Sequence, residues 1–172
     1  PPRSTLFPYT TLFRSDLAVR ALEELIDYQQ YPVVAAERAT KARRSLGIGY
    51  IGLAHYLARN GVKYEDPKAW ELVHDLTEAF QYYIIKSSNQ LAKEKGWCED
   101  FGRTKYSDGI LPIDTYKKDV DELVPNNLKY DWESLRSSIL EHGLRHSTLS
   151  AQMPSESSSV VSNETKIGRA HV

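Results

Sequence analysis

The sequence predicts a predominantly α-helical chain with one or two short strands. Three observations predict it. Apolar residues recur every three or four positions through long stretches, the period of a helix with one buried face. Prolines and glycines stand where helices start and stop. A short apolar/polar alternation, Thr148 to Gln152, then runs into a Pro-Ser-Glu-Ser-Ser turn that opens another helix.

The elements follow in order. Leu17, Ala18, Ala21, Leu22, Leu25 and Ile26 have helical spacing, so residues 17–29 read as an amphipathic helix. Tyr31-Pro32 interrupts it, because proline disfavours helix at the residue before it. A second helix covers Val34 to Arg43. A third, around Ile48 to Arg59, stops at Asn60-Gly61. The longest helix is capped by Asp66, has Pro67 at its first position and runs to about Lys95 before Gly96. Its apolar positions are Val73, Leu76, Phe80, Tyr83, Ile84, Ser87 and Leu91. Residues 97–130 are rich in turn signals, with Asp108-Gly109, Leu111-Pro112 and Pro125-Asn126-Asn127. Asp131 caps a helix through Glu141, closed by His142-Gly143. Residues 148–152 read as a strand, and Ser158 opens the last helix.

The two ends are expected to be foreign to the fold. Residues 1–15 back-translate into a common sequencing-library adapter, and Ile167 to Val172 into read-through of the same system. Two of the three bases for Lys166 also match. Such residues are set aside before fold reasoning, which leaves 16–165 as the natural segment and 166–172 as adapter. This segment reads as an internal slice of a longer gene. The chain has 22 Lys+Arg and 23 Asp+Glu, and without Arg3, Arg14 and Arg169 the balance is near −4. That mild acidity argues against a nucleic-acid footprint. No apolar run approaches the roughly 20 residues of a membrane span. Cys98 alone can form neither an internal disulfide nor a dithiol pair, in keeping with a reducing compartment.

Several motifs carry less than they suggest. Gly47-Ile48-Gly49-Tyr50-Ile51-Gly52 satisfies G-x-G-x-x-G, but a dinucleotide site needs an apolar strand before it. The lead-in here is basic and helix-like, so the glycines read as close helix packing. His142 and His146 have i, i+4 spacing, yet Gly143 between them ends the helix and no third ligand stands nearby, so no metal is expected. Tyr82-Tyr83 lies inside the long helix and reads as core.

Pro154, Ser155, Glu156, Ser157 and Ser158 are the candidate site. A helix start leaves backbone N–H groups unpaired and aimed together, which suits a phosphate. Hydroxyls at Ser155, Ser157 and Ser158 add donors. Serines there also serve as simple caps. The Glu156 carboxylate would repel a diphosphate, so its backbone N–H is expected to face the ligand while the side chain turns away.

The segment closely resembles the large (alpha) subunit of class I ribonucleotide reductase, most like the bacterial Ia type. The landmarks are Leu25-Ile26-Asp27-Tyr28-Gln29, Arg43-Arg44-Ser45-Leu46-Gly47-Ile48-Gly49, Gln81-Tyr82-Tyr83, the stretch Gly109 to Asp119, and His142-Gly143-Leu144-Arg145 through Ser158. Ser157 stands where threonine is usual, and His146 where asparagine is expected. The resemblance implies a fragment of a ten-stranded α/β barrel. It makes 154–158 the loop that holds the substrate diphosphate. It implies a cytoplasmic parent enzyme that reduces ribonucleoside diphosphates to deoxyribonucleoside diphosphates for DNA synthesis by thiyl-radical chemistry. That parent would work with a small (beta) subunit carrying a di-iron centre and tyrosyl radical, with thioredoxin or glutaredoxin, with nucleotide effectors, and as a homodimer. The family's reacting cysteines and its radical-transfer tyrosine pair lie outside this segment. Cys98 is therefore read as non-catalytic, and no catalytic residue or bound cofactor is assigned to the slice. The isolated slice is expected to be inactive and to fold poorly, because its helices would expose faces meant for missing strands. Two other readings are a stand-alone helical binding module and a fragment of a cobalamin-dependent reductase.

Overall fold

The computed structural model describes residues 6–124 and 127–154, with Ser158 and Val161, and side chains from Arg14 onward. Five α-helices carry the described residues: α1 (Leu6–Tyr28), α2 (Val34–Arg43), α3 (Leu53–Arg59), α4 (Pro67–Lys95) and α5 (Trp132–His142). α1 starts ahead of Asp16, and Ser15 within it is buried. The turn-rich excursion after α4 is a series of short 3-10 turns between Phe101 and Glu122.

α4 organises the core. Tyr82, Tyr83, Ile84, Ile85 and Leu91 are buried on it, against Val19 and Ile26 of α1 and Leu135 and Ile139 of α5. Each fully buried aliphatic side chain stabilises the fold by about 1.5–3 kcal/mol relative to exposure. Tyr82 stacks on Tyr130 at 4.7 Å and meets Trp132 edge-on at 5.3 Å. The pair Tyr82-Tyr83 is core, in line with the reading from the sequence. The return of the excursion is held by Glu78, a buried carboxylate on α4. It accepts from the backbone N–H groups of Lys129 and Tyr130 and from the Trp132 indole.

The face of α1 differs from expectation. Leu17 and Leu25 are more than half exposed, and the buried stripe is Val19, Glu23 and Ile26. An acid occupies the centre of that stripe, which a count of apolar residues passes over. The third helix also starts later than its spacing suggested. Ile48 leaves helical backbone to pair with Ser150, and Gly52, at φ 83°, turns the chain into α3. Asp66 precedes α4 as expected, but its carboxylate accepts from Lys63 N rather than from the helix.

An apolar groove of about 630 Å³ lies between α3, α4 and the excursion, lined by Leu57, Tyr64, Trp70, Val73, Tyr116 and Leu123 among others. Among the described residues no helix is long and apolar enough to cross a membrane.

A rail that leads to the candidate phosphate loop

The chain reaches the loop along residues 144–152, and each step of that path is tied down. α5 ends at Gly143, where φ is 71°, a value that favours glycine. A side chain there would meet Trp97 Cβ at 2.7 Å, so glycine also permits the close passage. Asn89 on α4 binds the turn, donating to the carbonyls of Gly143 and Ser138 while accepting from the Ser138 hydroxyl. Leu144 is fully buried, and its carbonyl accepts from Cys98 N.

Beyond Leu144 the segment lies alongside residues 43–50. Ser147 N donates to Arg43 O at 2.9 Å, and Leu46 N donates to Thr148 O at 2.8 Å. Ile48 N then donates to Leu149 O at 2.9 Å, and Ala151 N to Ile48 O at 3.0 Å. These last two bonds are one parallel bridge, Ile48 to Ser150. The expected strand over 148–152 is thus reduced, among the described residues, to a single bridge. The reason is local: Thr148 and Leu149 take bonds from Leu46 and Ile48, so the two segments advance unequally and a regular ladder cannot continue.

Side chains complete the rail. Gln81 of α4 donates to the Ser150 hydroxyl, and the Ser45 and Ser147 hydroxyls pair at 2.8 Å. The Gln152 amide clasps Tyr50, donating to its carbonyl at 2.6 Å and accepting from its N–H at 3.4 Å. Gly47 and Gly49 face this segment. A Cβ on Gly49 would stand 2.5 Å from Ala151 O, and one on Gly47 would meet the Ala151 Cβ at 3.3 Å. The glycines do serve close packing, but against an extended segment and not against a helix.

At the root of the rail lies a buried charged cluster that the sequence reading missed. Glu23 and His146 have no exposed surface, and Arg44 is almost fully buried. The Glu23 carboxylate accepts from Arg44 Nε at 2.8 Å, Arg145 Nε at 2.7 Å and His146 Nε2 at 3.0 Å. Arg44 also grips Asp27 at 2.6 Å. Burial alone would raise the Glu23 carboxyl, but the hydrogen bonds from His146, Arg44 and Arg145 hold it well below the usual carboxylate range. Burial pushes the His146 ring below its ordinary value despite the carboxylate beside it. Arg44 sits at φ 47°, a left-handed conformation costing a non-glycine residue about 1–2 kcal/mol. Its N–H closes α2 on Thr40 O while its guanidinium joins two acids, and these contacts hold it there. The legible signals were an acid inside an apolar stripe and an Arg-Arg pair at a helix end.

Pro154 is exposed at the end of the rail, and Ser158 is exposed and helical. Ser155, Glu156 and Ser157 lie outside the described residues. His146 is a satisfied core histidine, while His142 lies half-buried beside Glu141, so the i, i+4 pair does not converge. Cys98 is buried and its thiol is pushed up by burial.

The profile of the ribonucleotide reductase barrel domain matches residues 12–168. The chain belongs to the ribonucleotide reductase barrel family. It is 62% identical over 148 residues to the ribonucleoside-diphosphate reductase subunit alpha of Haemophilus influenzae, covering 86% of this chain and 20% of that protein. It is 59% identical over 140 residues to ribonucleoside-diphosphate reductase 1 subunit alpha of Escherichia coli, covering 81% and 18%. The phage T4 subunit alpha is 50% identical over 151 residues, covering 88% and 20%. The chain therefore spans about a fifth of the length of these relatives. In this ribonucleotide reductase segment the residues from Gly143 to Gln152 carry the chain from a packed core to the exposed Pro154.

Proposed function

We propose that this segment is part of the large subunit of a class I ribonucleoside-diphosphate reductase. In that subunit, Pro154, Ser155, Glu156, Ser157 and Ser158 form the loop that holds the substrate diphosphate. The observation that carries the reading is the rail. Hydrogen bonds at 147, 148, 149, 150, 151 and 152 deliver Pro154 to the surface on a fixed path. Rigid delivery matters because small displacements of a bound substrate cost large rate factors. Relatives bearing the name ribonucleoside-diphosphate reductase, at up to 62% identity, support the substrate class.

In the complete enzyme the segment belongs to a ten-stranded α/β barrel, and the apolar groove beside α3 and α4 is the kind of face the remaining barrel would cover. A separate small subunit with a di-iron centre supplies the radical, thioredoxin or glutaredoxin supplies electrons, nucleotides act as effectors, and the large subunit dimerises in the cytoplasm. The role of this segment's residues is to bind and orient: backbone N–H groups and hydroxyls of the loop donate to the diphosphate oxygens, and the rail sets its place. The residues of this segment include no reacting cysteine, so the isolated chain should form no deoxyribonucleotide; measurable product from it would refute that. In a complete subunit carrying this segment, Ser157→Ala and Ser158→Ala should each weaken binding by roughly 0.5–1.5 kcal/mol per lost hydrogen bond. That is about a two- to twelvefold rise in KM. Unchanged KM in both variants would leave the serines as caps alone.

A further inference from the structure

We propose that His146 is a positioning residue for the diphosphate loop, fixing through Glu23 and Ser88 the register at which the rail passes α4. The proposal rests on the loop's assignment above and adds the element that sets its place. The geometry is directional at both ring nitrogens. Glu23, as a carboxylate, can only accept, so Nε2 carries the proton and donates to it at 3.0 Å. Nδ1 of the neutral ring is then the acceptor, and the Ser88 hydroxyl lies 2.9 Å away to donate to it. The same Ser88 oxygen accepts the His146 backbone N–H at 3.2 Å, and the Ser88 carbonyl accepts Arg145 N at 3.3 Å. Side chain and backbone of one rail residue thus close a ring on one turn of α4.

The need for such an anchor follows from the rail itself. Its pairing with residues 46–50 is one bridge with unequal spacing, and Gly47 and Gly49 offer no side chains to key it. Leu149, buried in the core, keys one face of the rail, and His146 adds a directional tie at its root. An apolar residue at 146 would fill the space without supplying that tie. The charges around the ring balance: Glu23 and Asp27 face Arg44 and Arg145. A neutral imidazole therefore adds direction without adding charge. The Gln152 clasp on Tyr50 holds the far end, so His146 and Gln152 bracket the segment that ends at Pro154.

The test uses a complete reductase subunit carrying this segment, assayed with its small subunit. His146→Leu should raise KM for the ribonucleoside diphosphate about tenfold, whereas Ile139→Val, a core change on α5, should lower the melting temperature and leave KM unchanged. His146→Gln keeps a donor near the place of Nε2 and should return KM to within about twofold. If His146→Leu does not fold, Ser88→Ala removes only the hydroxyl and should raise KM about threefold. Amide exchange at Ile48 and Ala151 should quicken about tenfold in the His146 and Ser88 variants and not in Ile139→Val. KM unchanged in whichever of these two variants folds overturns the proposal. Should the unaltered subunit reduce no ribonucleoside diphosphate, the functional reading falls, and the exchange rates alone decide: faster exchange upholds the anchoring of the rail, and unchanged exchange overturns it.

Discussion

Gly49→Ala is the sharpest probe of the rail. The added methyl would sit 2.5 Å from the Ala151 carbonyl oxygen, a backbone atom that cannot rotate away. To regain a separation of roughly 3.5 Å, residues 49 and 151 must part by about 1 Å. The bridge bond from Ala151 N to Ile48 O, now 3.0 Å, would then stretch beyond hydrogen-bond range. The displacement lies three residues before Pro154, so it is passed on toward the loop. A misplacement of about 1 Å can cost on the order of 100-fold in rate, which is about 2.7 kcal/mol in activation free energy. The assay is kcat/KM for deoxyribonucleotide formation by a complete subunit carrying Gly49→Ala. Two comparisons control it. Gly47→Ala meets a side-chain methyl at 3.3 Å and should cost several-fold less, and Gly102→Ala meets nothing within 4 Å and should be silent. A Gly49→Ala subunit within about twofold of the unaltered one would refute the idea that this contact sets the loop.

Three further outcomes are expected. Asp131→Ala removes the acceptor for Ser134 N and Ser134 Oγ at the start of α5, and should cost about 1 kcal/mol, read as faster amide exchange in the first turn of α5. Folding favours the neutral His146 ring, so below its ordinary value near 6.5 the unfolded segment binds more protons and local stability falls as pH falls. The loss should approach at most ~1.4 kcal/mol per pH unit, be absent above that value, and flatten in His146→Gln; equal slopes in the two proteins would show that the ring does not titrate on local unfolding. Cys98, buried and raised, should resist thiol reagents in the native subunit and react once denatured, and rapid native labelling would contradict its burial.

Much of the scaffold was legible in the sequence because its signals are local. Pro67 and Gly96 bound α4, and Asp131 and Gly143 bound α5, since proline geometry, capping and a positive φ act within one turn of the chain. The landmarks around Arg43 to Gly49 and His142 to Ser158 likewise identified the family directly. What local rules could not decide was which residues meet. Leu17 and Leu25 look like a buried face but are exposed, because α4 packs on the stripe of Val19, Glu23 and Ile26. Ile48 has helical company in sequence yet bonds with residues a hundred positions away, and that pairing is what the glycines permit. Glu23 sits within an apolar stripe for a reason seen only once Arg44, Arg145 and His146 close around it. Helix ends depend on neighbours in the chain, whereas a buried charge depends on partners brought together by folding, and only the tertiary structure supplies those.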